Sequence, residues 1–141
     1  MKEIWTGIQA GFTAMGGFLG WFLGGMDGFI HALIAFVAVD YITGVLRAIV
    51  EKKLSSRIGA HGIIKKVVIF LIAGVANLAD VYLLNEGGAL RMAVIFFYIS
   101  NEGISLLENA VVIGLPAPEQ LKDALAQLHK RKSKDKDGED E

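Results

Sequence analysis

Cysteine is absent from the chain, and proline occurs only twice. The first absence excludes disulfides, thiolate metal sites and thiol nucleophiles. The second leaves long stretches free of helix breakers, since Pro116 and Pro118 both stand near the C-terminus. Charge is scarce as well. No charged residue lies between Glu3 and Asp27, and ten charged residues crowd into the last twelve positions, Lys130 to Glu141. The formal net charge of −1 therefore describes no region of the molecule. What fills the body is apolar: 53% of the 141 residues are hydrophobic and mean hydropathy is +0.48. With glycine counted and tyrosine left out the share is about 63%, against about 45–50% for a soluble domain. The length allows one domain, and the composition argues for a membrane protein over a soluble enzyme.

Four apolar runs are long enough to cross a bilayer as helices: about 4–26, 28–46, 67–85 and 92–112. They predict an all-α integral membrane protein whose transmembrane domain covers residues 1–115. A three-span arrangement, with the glycine-rich first run lying in the interface, is the alternative. The first run lacks a clean small-residue cleavage pattern, so it is expected to stay in place. Basic residues set the orientation. Arg47, Lys52, Lys53, Arg57, Lys65 and Lys66 stand between the second and third runs, and Lys130, Arg131, Lys132, Lys134 and Lys136 follow the fourth. Four spans with both termini in the cytoplasm satisfy every connection.

Gly114, Pro116 and Pro118 end the fourth run, and Pro118 suits the first turn of another helix. Leu121, Leu125 and Leu128 then recur on one helical face. Residues 116–131 thus read as a short amphipathic cytoplasmic helix beginning at Pro118. Residues 132–141, with no apolar side chain to bury, read as a disordered charged tail.

Acids inside spans are costly and point to function. Glu102 sits near the middle of its run, and Tyr98, Asn101, Glu102, Ser105, Glu108 and Asn109 fall within a helical sector of about 120°. Such a stripe serves either as glue between helices of one monomer or as an oligomer interface or lesion lining. Asp40 shares a face with Thr43, Gly44 and Arg47, which predicts an ion pair with Arg47. Asp80 shares one with Ala73, Ala76 and Asn77, suited to close helix packing. Gly7, Gly11, Gly16, Gly20 and Gly24 in the first run give repeated G-x-x-x-G spacing, which lets helices approach closely within a chain or between chains.

Lys52, Lys53, Arg57, Lys65 and Lys66 form a basic loop expected to meet anionic lipid headgroups. Gly59 and Gly62 in that loop lack phosphate-loop spacing and read as residues that turn it back to the membrane. His31, His61 and His129 are isolated, so no metal site is expected. Neither a catalytic constellation, a cofactor motif nor a nucleic-acid-binding pattern is found.

The ordered set Asp40-Tyr41-Ile42-Thr43-Gly44, Ser55-Ser56, Gly59, Gly62, Lys65-Lys66, Asp80, Tyr98 to Glu102, Glu108-Asn109 and Gly114 to Pro118 resembles the toxin-secretion/phage-lysis holins. The resemblance covers about residues 30 to 130. It implies a non-enzymatic protein that accumulates in the bacterial (host) cytoplasmic membrane, forms homo-oligomers and opens lesions. Through them a cell-wall hydrolase (endolysin) leaves the cytoplasm to cause lysis, or a large toxin is secreted. Members of that family are often drawn with three spans. A small proton-coupled exporter and an accessory subunit of a membrane complex are the competing readings of the same acids and spans.

Overall fold

A computed structural model of the chain describes residues 1–85 and 87–137, which form helices and no strand. They are α1 (Lys2–Leu23), α2 (Gly28–Val50), α3 (Ser56–Ala79, continued by a wider π turn over Asp80–Leu84), α4 (Ala89–Ile113) and α5 (Glu119–Asp137). Local chemistry fixes the ends. The Asp27 carboxylate accepts the Ile30 amide at the start of α2, and the Ser55 hydroxyl accepts the Ile58 amide at the start of α3. Gly24 and Gly114 terminate α1 and α4 in the left-handed conformation.

Three helices are long and apolar enough to span a membrane: Gly28–Val50, Ser56–Leu84 and Ala89–Ile113. These match three of the four expected spans, and the first run is not among them. It is helical for 22 residues, but its glycines, Thr6, Gln9 and Thr13 dilute its apolar content. The third span also begins earlier than expected. Only residues 51–55 form the connection after α2, so Arg57, Lys65 and Lys66 stand on α3 and not in a loop. A lysine interrupts hydropathy without interrupting a helix, because its long stem is compatible with helical backbone. At the other end α5 runs on to Asp137, beyond the expected stop at 131, since lysine there also carries little helix penalty. Residues 138–141 of the expected disordered tail lie outside the described residues.

The core is built from Ile30, Leu33 and Val37 of α2, Ile69 and Ala73 of α3, Ile95 of α4 and Leu23 of α1. The most extensive packing is between α2 and α4. Large apolar side chains such as Ile42, Leu71, Val75 and Phe97 point outward instead, the arrangement a lipid-facing surface requires.

α1 is attached by its last turn alone. Phe22 lies over Gly74, where any Cβ would collide with the ring. The carbonyls left over at the end of α1 are met by side chains from elsewhere. Asn77 donates to the carbonyl of Phe22 at 3.1 Å, while Arg91 donates to those of Leu23 at 2.6 Å and Gly25 at 3.2 Å. Arg91 also grips the Asp27 carboxylate through both terminal nitrogens, at 2.8 and 3.2 Å. Gly24 completes this clasp because its φ of 83° is open to glycine, and a Cβ there would strike Asn77 and Arg91. Residues 1–19 of α1 are all exposed.

The Arg91 guanidinium holds the Asp27 carboxyl below its ordinary value of 3.8, against an opposing effect of desolvation. The clasp's charge contribution is therefore complete above that ordinary value and is lost as pH falls through the lowered one. Asp27→Asn removes the charge and keeps a good helix cap. In detergent, the wild type should unfold at a higher temperature than this variant at pH 7, and the gap should close as pH is lowered past 3.8. A gap that stays constant across the titration would exclude the ion pair as its source.

Candidate functional site

Two helices joined by a tight turn bring residues equidistant from it to the same depth. Asp40 lies ten residues before the end of α2 and Lys66 ten after the start of α3. Both thus stand about 15 Å from the 51–55 connection, near mid-span. They meet: Lys66 Nζ is 2.6 Å from an Asp40 carboxylate oxygen and 2.5 Å from one of Glu102 on α4. One ammonium joins carboxylates from two other helices. Asp40 and Glu102 are only 6% and 7% exposed. The pairing is what makes their burial tolerable, since an unpaired charge at this depth costs several kcal/mol.

Asn109 extends the cluster. Its amide donates to the second Asp40 oxygen and to the Thr43 hydroxyl, both at 3.1 Å, and its own oxygen lies 3.4 Å from Arg47 Nη1. Gly44 leaves ordinary contact room beside that amide. Tyr41, next to Asp40, lies across α3, with its hydroxyl 3.4 Å from the Gly59 carbonyl. A Cβ at Gly62 would press on the Tyr41 ring at 3.3 Å. Gly59 and Gly62 thus admit an aromatic ring between helices and do not turn a loop. The expected Asp40–Arg47 pair is absent: Asp40 takes Lys66, and Arg47 reaches Glu51 at 3.6 Å. Among the described residues no buried polar side-chain atom lacks a partner.

The residues singled out from sequence separate into groups. Glu102 and Asn109 join Asp40 inside the bundle. Tyr98, Asn101 and Ser105 line a groove of about 430 Å³ between α3 and α4, bordered by Lys65 and Lys66. Glu108 lines another, of about 340 Å³, with Arg47, Lys122, Leu125 and His129. Asp80 is away from the cluster: its carboxylate accepts the amides of Leu90 and Arg91, at 3.1 and 2.6 Å, and so starts α4. Lys52, Lys53, Arg57 and Lys65 are exposed, whereas Lys66 is drawn into the cluster, which removes it from the lipid-facing set. Of the α1 glycines only Gly24 is closely packed; Gly7, Gly11 and Gly16 have nothing within 4 Å, and Gly20 has only Met26, at 3.9 Å.

Neither the Lys66 pairing nor the Arg91 clasp follows from the local sequence pattern. The signal for the first was available, because a mid-span acid needs a counter-ion and Lys66 is as far from the turn as Asp40. No group of three or more histidine or acidic residues suited to a metal occurs among the described residues.

Three apolar helices tied at mid-depth by an ion cluster define a polytopic membrane protein. The family model for the bacteriophage holin family matches residues 17–130, and the chain belongs to that family. A probable holin of Bacillus phage phi105 is 36% identical over 97 residues, covering 69% of this chain and 71% of that protein. The uncharacterized 14.9 kDa protein in the nagH 3' region of Clostridium perfringens is 40% identical over 132 residues, 94% of this chain and all of its own length. The uncharacterized protein YqxH of Bacillus subtilis is 34% identical over 112 residues, 79% of each chain. No solved structure matches.

Removing one member of a buried ion cluster costs more than removing its charge altogether. Lys66→Met should destabilise the protein by about 3–5 kcal/mol, seen as a lower unfolding temperature in detergent. Adding Asp40→Asn and Glu102→Gln to Lys66→Met should recover much of that loss. A single variant as stable as wild type would show that the cluster does not hold the spans together.

Proposed function

We propose that the protein is a holin that oligomerises in the bacterial cytoplasmic membrane and opens lesions through which a cell-wall hydrolase or a toxin leaves the cell. The observation that carries this reading is the charged face of α4, held at mid-membrane depth by Lys66 and Asp40. In a monomer that face is covered by α2 and α3. In a ring of copies it can turn toward water, where the same charges are better solvated than in lipid. The two states need differ by only a few kcal/mol for a change in conditions to select between them. No bond is made or broken, so the reading needs neither catalytic residue nor cofactor.

In this reading α1 is a fourth, weakly apolar crossing, both termini face the cytoplasm, and α5 is an amphipathic cytoplasmic helix. Residues 1–115 are then the lesion-forming domain. Lys52, Lys53, Arg57 and Lys65 sit where anionic headgroups are, each contributing about 1 kcal/mol to attraction near the surface. Tyr98, Asn101, Glu102, Ser105, Glu108 and Asn109 line the oligomer interface or the lesion. Asp40 shares Lys66 with Glu102 as its partner, and Asp80 has a structural role. The glycine stripe of α1 serves contact between helices.

Expression in bacteria with and without a separately encoded muralytic enzyme tests the function. Culture density should collapse abruptly only when both proteins are present. Steady growth with both would sink the reading, and substrate-dependent transport without loss of viability would favour a proton-coupled exporter.

A further inference from the structure

With α1 read as a crossing, two side-chain amides stand at membrane depth without a hydrogen-bond partner among the described residues. Gln9 is exposed near the middle of α1, and its side-chain amide forms no hydrogen bond among the described residues. Thr6 and Thr13, on the same face, return their hydroxyls to the carbonyls of Lys2 and Gln9, both at 2.8 Å. Together with Gly16 they form a narrow polar and small-residue strip within a sector of about 80°. The second amide is Asn101, in the groove between α3 and α4 with Tyr98 and Ser105. It too forms no side-chain hydrogen bond among the described residues, unlike Asn109 two turns further on. Lipid tails satisfy neither amide, and an unsatisfied one is costly there.

The two also match in height. α1 ends and α4 begins at the same end of the bundle, where Arg91 clasps the carbonyl of Leu23. Counted back from Leu23 along α1 and forward from Ala89 along α4 at about 1.5 Å per residue, Thr13 and Tyr98 lie about 15 and 14 Å deep. Gln9 lies at about 21 Å, between Asn101 at about 18 Å and Ser105 at about 24 Å. Within one chain they do not meet, since residues 1–19 of α1 are exposed throughout.

We infer that α1 of one copy lays its Thr6–Gln9–Thr13 strip into the α3/α4 groove of a second copy, Gln9 pairing with Asn101. The inference rests on the proposed reading of α1 as a crossing and names the contact by which copies join. Each chain offers one strip and one groove, so the contact joins unlike surfaces and can propagate into a ring or an open filament.

The absence of cysteine makes the test clean. Copies of two sizes, one carrying Gln9→Cys and the other Asn101→Cys, are co-expressed, and membranes are oxidised before culture density changes. The disulfide-linked mixed dimer should exceed by several-fold that formed by Ile8→Cys with Asn101→Cys, since Ile8 lies off the strip. Thr13→Cys with Tyr98→Cys, a second pair in the same register, should link as well and guards against one variant failing to fold. Equal linking by Ile8→Cys, a Gln9→Cys dimer formed as readily without the partner variant, or no mixed dimer from either pair would overturn the contact. Because linking is read before lysis, it succeeds or fails separately from the muralytic co-expression experiment.

Discussion

Placing one ammonium between two carboxylates halfway through a membrane constrains everything around it. Lys66 must reach Asp40 and Glu102 at once, so α2, α3 and α4 have to converge at one depth. The short 51–55 connection sets that depth for two of them. The third is registered by Asn109, which takes the remaining Asp40 oxygen two turns along α4 from Glu102. Side chains that carry no charge then serve the convergence. Gly59 and Gly62 let the Tyr41 ring lie against α3, and Thr43 takes up the second Asn109 proton. The Asp-Tyr-Ile-Thr-Gly run is thus a packing and pairing instruction.

The two ends of the bundle are held by different means. Toward Asp27 and Arg91 the interior is apolar, with Ile30, Leu33 and Ile95 fully buried, and the polar groups serve helix ends. Asp80 starts α4, Asn77 and Arg91 finish α1, and Asp27 starts α2 while neutralising Arg91. Toward the 51–55 connection the interior is polar, and cavities flank Lys66 on both sides of α3. Of the three spans, α3 is set off by these cavities and relies on the ion pairs where apolar packing is thin. The α2–α4 pair packs more extensively and depends on them less.

Helices and their order were readable from charge-free runs and from the glycine and proline punctuation, because both reflect local backbone preference. Span edges were not, wherever a charge lay inside a helix. Lys66 reads as a loop residue because hydropathy counts its charge and is blind to the acids it meets across the bundle. Arg91 stands just before the fourth apolar run, yet it is buried, because four acceptors from the α1 end and Asp27 converge on it. Such long-range pairs become visible only when residues are compared by distance from a connecting turn. The first run looked like a span by the same count of missing charges. Its glycine and threonine content, which that count ignores, sets it apart from the other three.

The stripe on α4 admitted two uses, and its geometry divides them by edge. Glu102 and Asn109 lie about 20° apart on the helix, and both are spent on partners within the chain. Asn101 and Ser105 lie on the other edge, about 40° or more away from these, and line an open groove. A stripe satisfied along its whole width would favour a monomer that never associates, and one left wholly unsatisfied would be too costly to insert. Individual polar contacts between membrane helices contribute only about 1 kcal/mol. Under the proposed function, an edge of two or three such groups would support assembly that is reversible and depends on concentration. The interior edge meanwhile holds each copy together through charge pairing, the stronger interaction. In the proposed holin reading, accumulation without premature opening would follow from that difference: copies would meet through the weak edge first, and the buried charges would be exposed to water only where enough copies had gathered to surround it.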